Sequence, residues 1–309
     1  MREFELPGLQ EGEVLVKNRF LSLDPYMRGQ MDGGESYIQA INPGEVMNGH
    51  TIGEIVDSKD PRFAVGELVW GPGHWQDFVA LKSPPVRKID PKLAPLPAWL
   101  GPMGLPGWTA YVGLLDLANP TPGETVVVSS AAGAVGALTG QIANMKGLRA
   151  IGIAGGPDKC RYAVEELGYA ACVDYKASDF RDALAAACPN GIDIDFENVG
   201  GEILDAIWPL LNRGARVIIC GLMAQYNLTK PHAGPDLTVA LKKRLNIRGF
   251  IIADHFPRLP AAIGEMAGWL GEGKIKYKVD VSAGLENSPD AFIGMLQGKN
   301  FGKTIVQIS

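Results

Sequence analysis

Metal-ligand spacing is missing from this sequence. The four cysteines (Cys160, Cys172, Cys188, Cys220) form no C-x-x-C pair, and the four histidines (His50, His74, His232, His255) are scattered. A catalytic zinc takes about three protein ligands and a structural zinc about four. No metal site is therefore expected, and the cysteines read as small apolar residues with reduced thiols. Also absent is any run of Lys and Arg able to follow a phosphate backbone. With 29 basic against 34 acidic residues and a formal net charge of −5, nucleic acid is not an expected partner. No apolar run follows the opening Met-Arg-Glu-Phe-Glu, so a signal peptide is not expected. Two uncharged stretches reach membrane-spanning length, and both fail. Residues 93–115 contain Pro95, Pro97, Pro102, Pro106 and four glycines, which break a continuous helix. Residues 125–145 divide into a β-rich run, a small-residue turn and a helical stripe. A soluble, cytoplasmic protein with no membrane partner is the expectation.

What is present has two textures. At 309 residues the chain exceeds the size, roughly 250–300 residues, at which one hydrophobic core stops growing. Before residue 104, short β-type runs (13–19, 49–57, 66–70, 76–81) alternate with Gly/Pro turns, as in a compact β-barrel. After it, strand and helix alternate. ETVVVSS (124–130) is a continuous β-branched run suited to a strand buried on both faces. Residues 133–146 then place Val135, Leu138, Ile142 and Met145 on one helical stripe. Strands at 149–154, 171–174, 192–197, 215–220 and 246–252 alternate with helices at 157–167, 178–187, 201–211 and 257–270. This predicts an α/β protein: a β-barrel domain followed by a doubly wound parallel sheet of the Rossmann kind. The tail 302–309 reads as a strand returning to the barrel. The expected division is 1–103 with 278–309 for the barrel domain and 104–277 for the sheet domain.

The first strand of the second domain runs into AAGAVG (131–136), which opens a helix. A dinucleotide pyrophosphate needs close backbone approach and a helix N-terminus with free N–H groups. Gly133 allows the approach and Gly136 allows the helix to pack on its strand, while Ala131 stands where the first glycine of G-x-G-x-x-G would be. Strand before and helix after is the context such a motif requires. The second strand ends Ala154-Gly155-Gly156, where an NAD site would carry an acid on the ribose hydroxyls. The glycines leave room, and Lys159, with Arg161 beside it, offers positive charge for a 2′-phosphate. NADPH is the expected cofactor, and Asp158 keeps NADH open.

Seven segments then carry a resemblance: LDPYMRG (23–29), GPGHWQDFV (71–79), GLPGWTAY (104–111), AAGAVG, ENVGG (197–201), CGLMAQYN (220–227) and KNFGKTIV (299–306). Together they resemble the zinc-free prostaglandin reductase, 2-alkenal reductase and curcumin reductase family of medium-chain dehydrogenases/reductases. Zinc-dependent members carry G-H-E-x-x-G, where this chain has Gly49-His50-Thr51-Ile52-Gly53 without the glutamate, and its barrel half has no cysteine. His50 reads as a hydrogen-bonded structural residue. The resemblance implies a GroES-like barrel as the catalytic domain. It also implies a first barrel strand, some twenty to thirty residues upstream, that this sequence does not contain.

The resemblance further implies NADPH-dependent reduction of the C=C bond of α,β-unsaturated aldehydes and ketones. Cofactor contacts are implied for Gly133, Ala134, Val135, Gly136, Lys159, Tyr175, Asn198, Cys220, Gly221, Leu222, Tyr226, Phe250, Ile251, Ile252 and Asn300. Met103 and Thr109 are further candidates near the nicotinamide. Tyr226 is the candidate donor to the developing oxyanion or to the ribose hydroxyl beside it, and Tyr26 a candidate facing the substrate. Either tyrosine is alternatively a buried aromatic with a satisfied hydroxyl. A homodimer joined near residues 246–252 is implied by the resemblance alone. A quinone reductase and a non-catalytic NADPH-binding protein remain open.

Overall fold

The computed structural model describes every residue except Met1, Arg2, Pro7, Gly34, Glu35, Pro84 and Ser309. The chain divides into two compact units, Met1–Gly104 with Lys278–Ser309, and Leu105–Tyr277.

The first unit is built on β1 (Glu13–Ser22), β2 (Thr51–Ser58), β3 (Leu68–Gly71), β4 (Phe78–Lys82) and β5 (Arg87–Lys88), joined later by β12 (Val279–Ala283) and β13 (Lys303–Gln307). The order is β12-β13-β1-β2-β3-β5, with β4 on β1. Strand β1 organises this unit. Its first half pairs with β4, its last residues pair with β13, and β2 runs along most of its length with two register shifts. Val14 and Val16 enter a core with Ile55, Val69, Val79 and Leu81, whereas Leu21 enters a second with Met27, Phe292, Met295 and Val306. Between the two halves sits buried Asn18. It donates to Gly73 O (2.9 Å) and Gln76 O (2.8 Å) and accepts from Thr51 Oγ1 (2.7 Å). The tail strand does return to this sheet, as β13. Two elements carried no signal in the residue pattern: β12, which pairs parallel to β13, and α9 (Ser288–Leu296). With its parallel pair the sheet is mixed, not wholly antiparallel.

The second unit contains β6 (Thr125–Ser129), β7 (Arg149–Ala154), β8 (Ala171–Asp174), β9 (Ile192–Glu197), β10 (Leu211–Ile219) and β11 (Asn246–Gly249). All pair parallel in the order β11-β10-β9-β6-β7-β8. In strand succession this reads 3-2-1-4-5-6, the doubly wound order, with the crevice at the switch between β6 and β9. Helices α3 (Gly136–Met145), α4 (Pro157–Glu165), α5 (Phe180–Ala187), α6 (Gly201–Ile207) and α7 (Leu237–Lys243) connect them, and α8 (Leu259–Gly271) follows β11.

Several boundaries move for identifiable reasons. The helix expected from 133 starts at Gly136, because Gly133 N–H turns back to Ser130 O (2.8 Å). The helix expected to reach 211 ends at Ile207, and the short 3₁₀ turn Trp208–Leu210, containing Pro209, leads into β10. The strand expected to reach Ile252 stops at Gly249, and Ile252–Arg258 is a 3₁₀ segment that takes Pro257 out of α8. The Pro/Gly-rich stretch before the first parallel strand is partly helical after all. Leu105–Tyr111 is an α-helix (α2), continued by the wider π turns of Val112–Ala118. Pro106 falls in its first turn, where a missing N–H costs nothing. Upstream, α1 (Tyr26–Gly29) is a single turn. Among the described residues no helix is long and apolar enough to cross a membrane.

One buried ion pair ties β13 to the turn after β1. Lys303 Nζ donates to Leu23 O (2.5 Å) and Asp24 Oδ1 (2.8 Å), and Asp24 also accepts from Ser22 Oγ. Burial pulls the Lys303 ammonium below its usual range, and the Asp24 carboxylate opposes that shift. Removing one partner leaves the other charge buried and uncompensated, at a cost of roughly 3–5 kcal/mol. Lys303→Met is therefore expected to lower the denaturant midpoint of unfolding sharply, and Lys303→Met/Asp24→Leu to recover part of the loss. Chemical unfolding followed by far-ultraviolet circular dichroism measures both.

Candidate functional site

The ends of β6, β7, β9 and β10 carry most of the residues singled out above. At the end of β6 the chain leaves the strand through Ser130, whose φ of 56° is left-handed without being glycine. Such a residue stores strain and marks a turn held by its surroundings. A Cβ on Gly136 would stand 2.2 Å from Ser130 O, and one on Gly133 would stand 2.6 Å from Ser130 Oγ. Gly136 is therefore demanded by the backbone's return on itself, while at Gly133 the tight contact is with the Ser130 side chain and Ser130 O stands at 3.1 Å. Gly133, Ala134, Val135 and Gly136 lead into the first turn of α3, whose Ala137, Leu138 and Thr139 amides donate to Gly133 O and Val135 O, which leaves Ala134, Val135 and Gly136 to supply N–H groups at the helix start. This is a cradle for an anion. Ala131 fits in place of glycine because the room is made on the next strand: a Cβ on Gly152 would lie 2.8 Å from the Ala131 methyl.

Tyr169 was not anticipated from the sequence. Its buried hydroxyl donates to Gly136 O (2.7 Å), and its ring fills the space where a Cβ on Gly140 would be. Glu197 was quoted only as the first letter of ENVGG, yet it organises the crevice. Its Oε1 accepts from Ser129 Oγ (2.5 Å), Val199 N (2.6 Å) and Gly200 N (3.0 Å). Its carbonyl accepts from Cys220 N (2.8 Å) and Gly221 N (3.1 Å). Asn198 bridges back to β6, its Nδ2 donating to Ser129 O (2.8 Å). Three strand ends are thus locked together at the switch point.

After β10, Cys220, Gly221 and Leu222 form a turn closed by Tyr226, whose hydroxyl accepts from Leu222 N (3.3 Å). Burial raises the Tyr226 phenol, and burial followed by the Glu197 charge pushes the Cys220 thiol up to about 12. Both stay protonated at neutral pH. Phe250 N–H donates to Ile219 O (3.4 Å), which brings Phe250, Ile251 and Ile252 in after β10.

At the adenosine side the geometry differs from the expectation in one respect. Gly155 does not leave open room: a Cβ there would meet the Tyr175 ring at 2.8 Å and Lys176 Cε at 3.1 Å. Gly156, with φ of 101°, has nothing within 4 Å. Lys159 is the third residue of α4, with Arg161 paired to Asp158 (2.6 Å) on its exposed face. Asp174, ending β8, accepts from Gly156 N (2.8 Å) and Lys176 N (3.0 Å).

Tyr26, Met103 and Asn300 belong to the other unit. Tyr26 OH lies 3.4 Å from His50 Nδ1, and burial, then the Asp24 charge, drives its phenol up. His50 stacks on Trp70 at 4.5 Å, and burial lowers it to about 4, so it is neutral. Met103 is wholly buried, and Asn300 Nδ2 donates to Gly302 O (2.8 Å). Thr109, half-buried on α2, belongs to the parallel-sheet unit.

A glycine turn opening a helix on a doubly wound sheet is the form of a dinucleotide-binding domain, and comparison with known proteins places the chain. A family described as the N-terminal domain of oxidoreductase matches residues 1–89, and one described as zinc-binding dehydrogenase matches residues 134–268. The chain belongs to the medium-chain dehydrogenase/reductase family. Within it, this protein falls with the curcumin, 2-alkenal and prostaglandin reductases. It is 46% identical over 310 residues to the NADPH-dependent curcumin reductase of Escherichia coli (strain K12), covering 98% of this chain and 89% of that protein. It is 38% identical over 300 residues to the NADP(+)-dependent 2-alkenal reductase of Nicotiana tabacum, covering 96% and 88%. The crystal structure of CurA in complex with NADPH from Vibrio vulnificus superposes with a TM-score of 0.95 at 46% identity, covering 100% of this chain and 93% of that one. Among the described residues, no group of three or more His, Cys, Asp or Glu is arranged to hold a metal ion.

Asp195 lies two residues before Glu197 on the same face of β9, opposite Val127 and Val217 in the register. Its carboxyl is buried, and neither oxygen has a hydrogen-bond partner among the described residues. Burial, then the Glu197 charge, raises it well above the usual range. An unfolded aspartate releases its proton near pH 3.9. Above that pH the folded state holds a proton the unfolded chain has lost, so this group's contribution to stability falls as pH rises. Asp195→Asn removes the titration. Its melting temperature relative to the parent is expected to rise steadily from pH 5 to pH 9, and parallel curves in thermal melts across that range would contradict the assignment.

Proposed function

We propose that this protein reduces the carbon–carbon double bond of α,β-unsaturated aldehydes and ketones with NADPH and without a metal. The observation that carries this is the phosphate cradle at the switch point, in a chain 46% identical over nearly its whole length to an NADPH-dependent curcumin reductase. The parallel-sheet unit serves as the cofactor domain, and the unit containing β1 and β13 as the catalytic domain.

The cradle fits a dinucleotide. Ala134, Val135 and Gly136 hold the pyrophosphate through backbone N–H groups and the α3 dipole, and Gly133 allows its close approach. Lys159 and Tyr175 hold the 2′-phosphate. Asn198, the 220–222 turn, Phe250, Ile251 and Ile252 hold the nicotinamide half, with Thr109 bordering it. The choice of NADPH over NADH follows from where acids are committed: Asp158 is paired with Arg161, and Asp174 with two backbone amides.

Bound NADPH supplies the hydride to the β-carbon of the conjugated carbonyl. Negative charge then develops on the substrate oxygen, and a prepositioned donor stabilises it. Tyr226 fills that role, directly or by holding the ribose hydroxyl. Its hydroxyl accepts from Leu222 N and so is fixed in place, and burial keeps its own proton available to donate. Tyr26 contacts the substrate from the catalytic domain, with His50 as its hydrogen-bond partner. The protein acts in the cytoplasm, in keeping with four cysteines that are all free thiols. It works as a homodimer joined through the exposed edge strand β11.

Turnover of NADPH, followed by absorbance, with a panel of short alkenals, bulky diaryl dienones and quinones tests the reaction class; turnover with quinones and none with enones would reject it. Lys159→Ala is expected to raise the KM for NADPH about tenfold to a hundredfold, the worth of one charge-assisted hydrogen bond, while leaving the KM for NADH within about twofold. Equal effects on both cofactors would remove Lys159 from the 2′-phosphate. Tyr226→Phe is expected to lower kcat on an enone about a hundredfold, as loss of one oxyanion donor does. Unchanged turnover would take Tyr226 out of the mechanism.

A further inference from the structure

Two of the four cysteines meet beside the proposed 2′-phosphate site. Cys160 is the fourth residue of α4, directly after Lys159. Cys172 lies on β8, opposite Gly152 of β7 in the register. Helix α4 packs on β8, and the Cys172 side chain sits within hydrogen-bonding reach of the Cys160 thiol. The Cys172 sulfur packs over Gly152, 3.1 Å from where a Cβ there would be, and the Ala131 methyl of the phosphate turn occupies the same neighbourhood at 2.8 Å. The pair therefore sits between the first turn of α4 and the start of the phosphate turn. Both residues are partly accessible to solvent, whereas Cys188 is buried in the core. The hydrogen bond from Cys172 draws the Cys160 thiol below its usual range, which favours the thiolate that attacks an oxidant.

We propose that Cys160 and Cys172 form a redox couple whose oxidation to a disulfide weakens NADPH binding. A hydroperoxide is the class of oxidant. The Cys160 thiolate takes the terminal oxygen as its O–O bond breaks, giving a sulfenic acid and an alcohol or water. The Cys172 thiol then displaces that oxygen as water, forming the S–S bond. In sum, two thiols lose two electrons and two protons, and ROOH becomes ROH and water. Thiol–disulfide exchange with a small dithiol reverses the step. Bonding Cys160 to β8 fixes the turn of α4 that carries Lys159, so the loss falls on the 2′-phosphate. The inference rests on the assignment of that phosphate to α4.

The test oxidises the full-length protein with hydrogen peroxide, without cofactor, and maps peptides by mass spectrometry without reduction. A Cys160–Cys172 crosslink, two hydrogens lighter than the free pair, is expected. It should be absent from Cys160→Ser and from Cys172→Ala, two variants that back each other up if one folds poorly. Cofactor titration by fluorescence should then show NADPH bound about tenfold more weakly by the oxidised than by the reduced protein, NADH much less affected, and full recovery with dithiothreitol. By linkage, NADP⁺, which has no hydride to give, should raise the couple's reduction potential by about 30 mV for each tenfold difference in its own affinity. No crosslink between these two residues overturns the proposal, and so does a crosslinked protein that binds NADPH as tightly as the reduced one. A failure of the phosphate assignment is seen separately, in Lys159→Ala of the reduced protein.

Discussion

The cofactor-side crevice depends on one buried carboxylate oxygen. Glu197 Oε1 gathers the Ser129 hydroxyl and the N–H groups of Val199 and Gly200, so the ends of β6 and β9 and the start of α6 meet at a single atom. Burying a carboxyl is unfavourable, and burial does raise Glu197, but the donors pull the other way. Glu197 Oε1 holds three donors, while its Oε2 is buried without a partner among the described residues, so the carboxyl is held through one oxygen. Asp195 gives the contrast within one strand. It shares the face and the burial but sits in mid-strand, where neighbouring amides belong to the ladder and none is free to turn toward it. Position along the strand thus makes one acid an organiser and the other a neutral passenger.

Around that anchor the site is shaped by close approach more than by side chains. Gly136 rests against Ser130 O, Gly140 against the Tyr169 ring, and Gly152 against the Ala131 methyl. The residue that stands in for the first motif glycine is accommodated by a glycine one strand away. Spacing of glycines within a single turn therefore understates how strongly the turn is specified, because part of the specification lies on β7 and β8. Tyr169 joins these pieces, donating to Gly136 O while filling the gap between α3 and β7.

This explains what was legible in the sequence. Strand β6 was plain because Thr125–Ser129 is a short β-branched run buried on both faces, and the others followed from their alternation with helices, down to the exposed edge strand β11. The phosphate turn was plain because its strand and helix flank it within a few residues. Glu197 and Tyr169 were not, because their roles depend on groups 68 and 33 residues away in the chain, and periodicity carries no information at that range. Helix α2 was hidden by composition: prolines and glycines that argue against a membrane span also conceal a helix that places Pro106 in its first turn. Strand β12 has no buried residue and few large apolar ones, so nothing in Val279–Ala283 announced a sheet.

The glycine pair after β7 sharpened most between sequence and structure. Absence of an acid at that strand end was the argument for NADPH, with room assumed at both glycines. In fact Tyr175 and Lys176 lie over Gly155, and only Gly156 is open. An acid is present nearby after all, in Asp174 at the end of the next strand, but its Oδ1 accepts from two backbone amides. A carboxylate already holding two N–H donors gains little from a ribose hydroxyl and fixes the turn instead. The acids at this edge are therefore distinguished by the donors they already hold. Sequence spacing records that an acid exists, and only the fold decides whether it is spent.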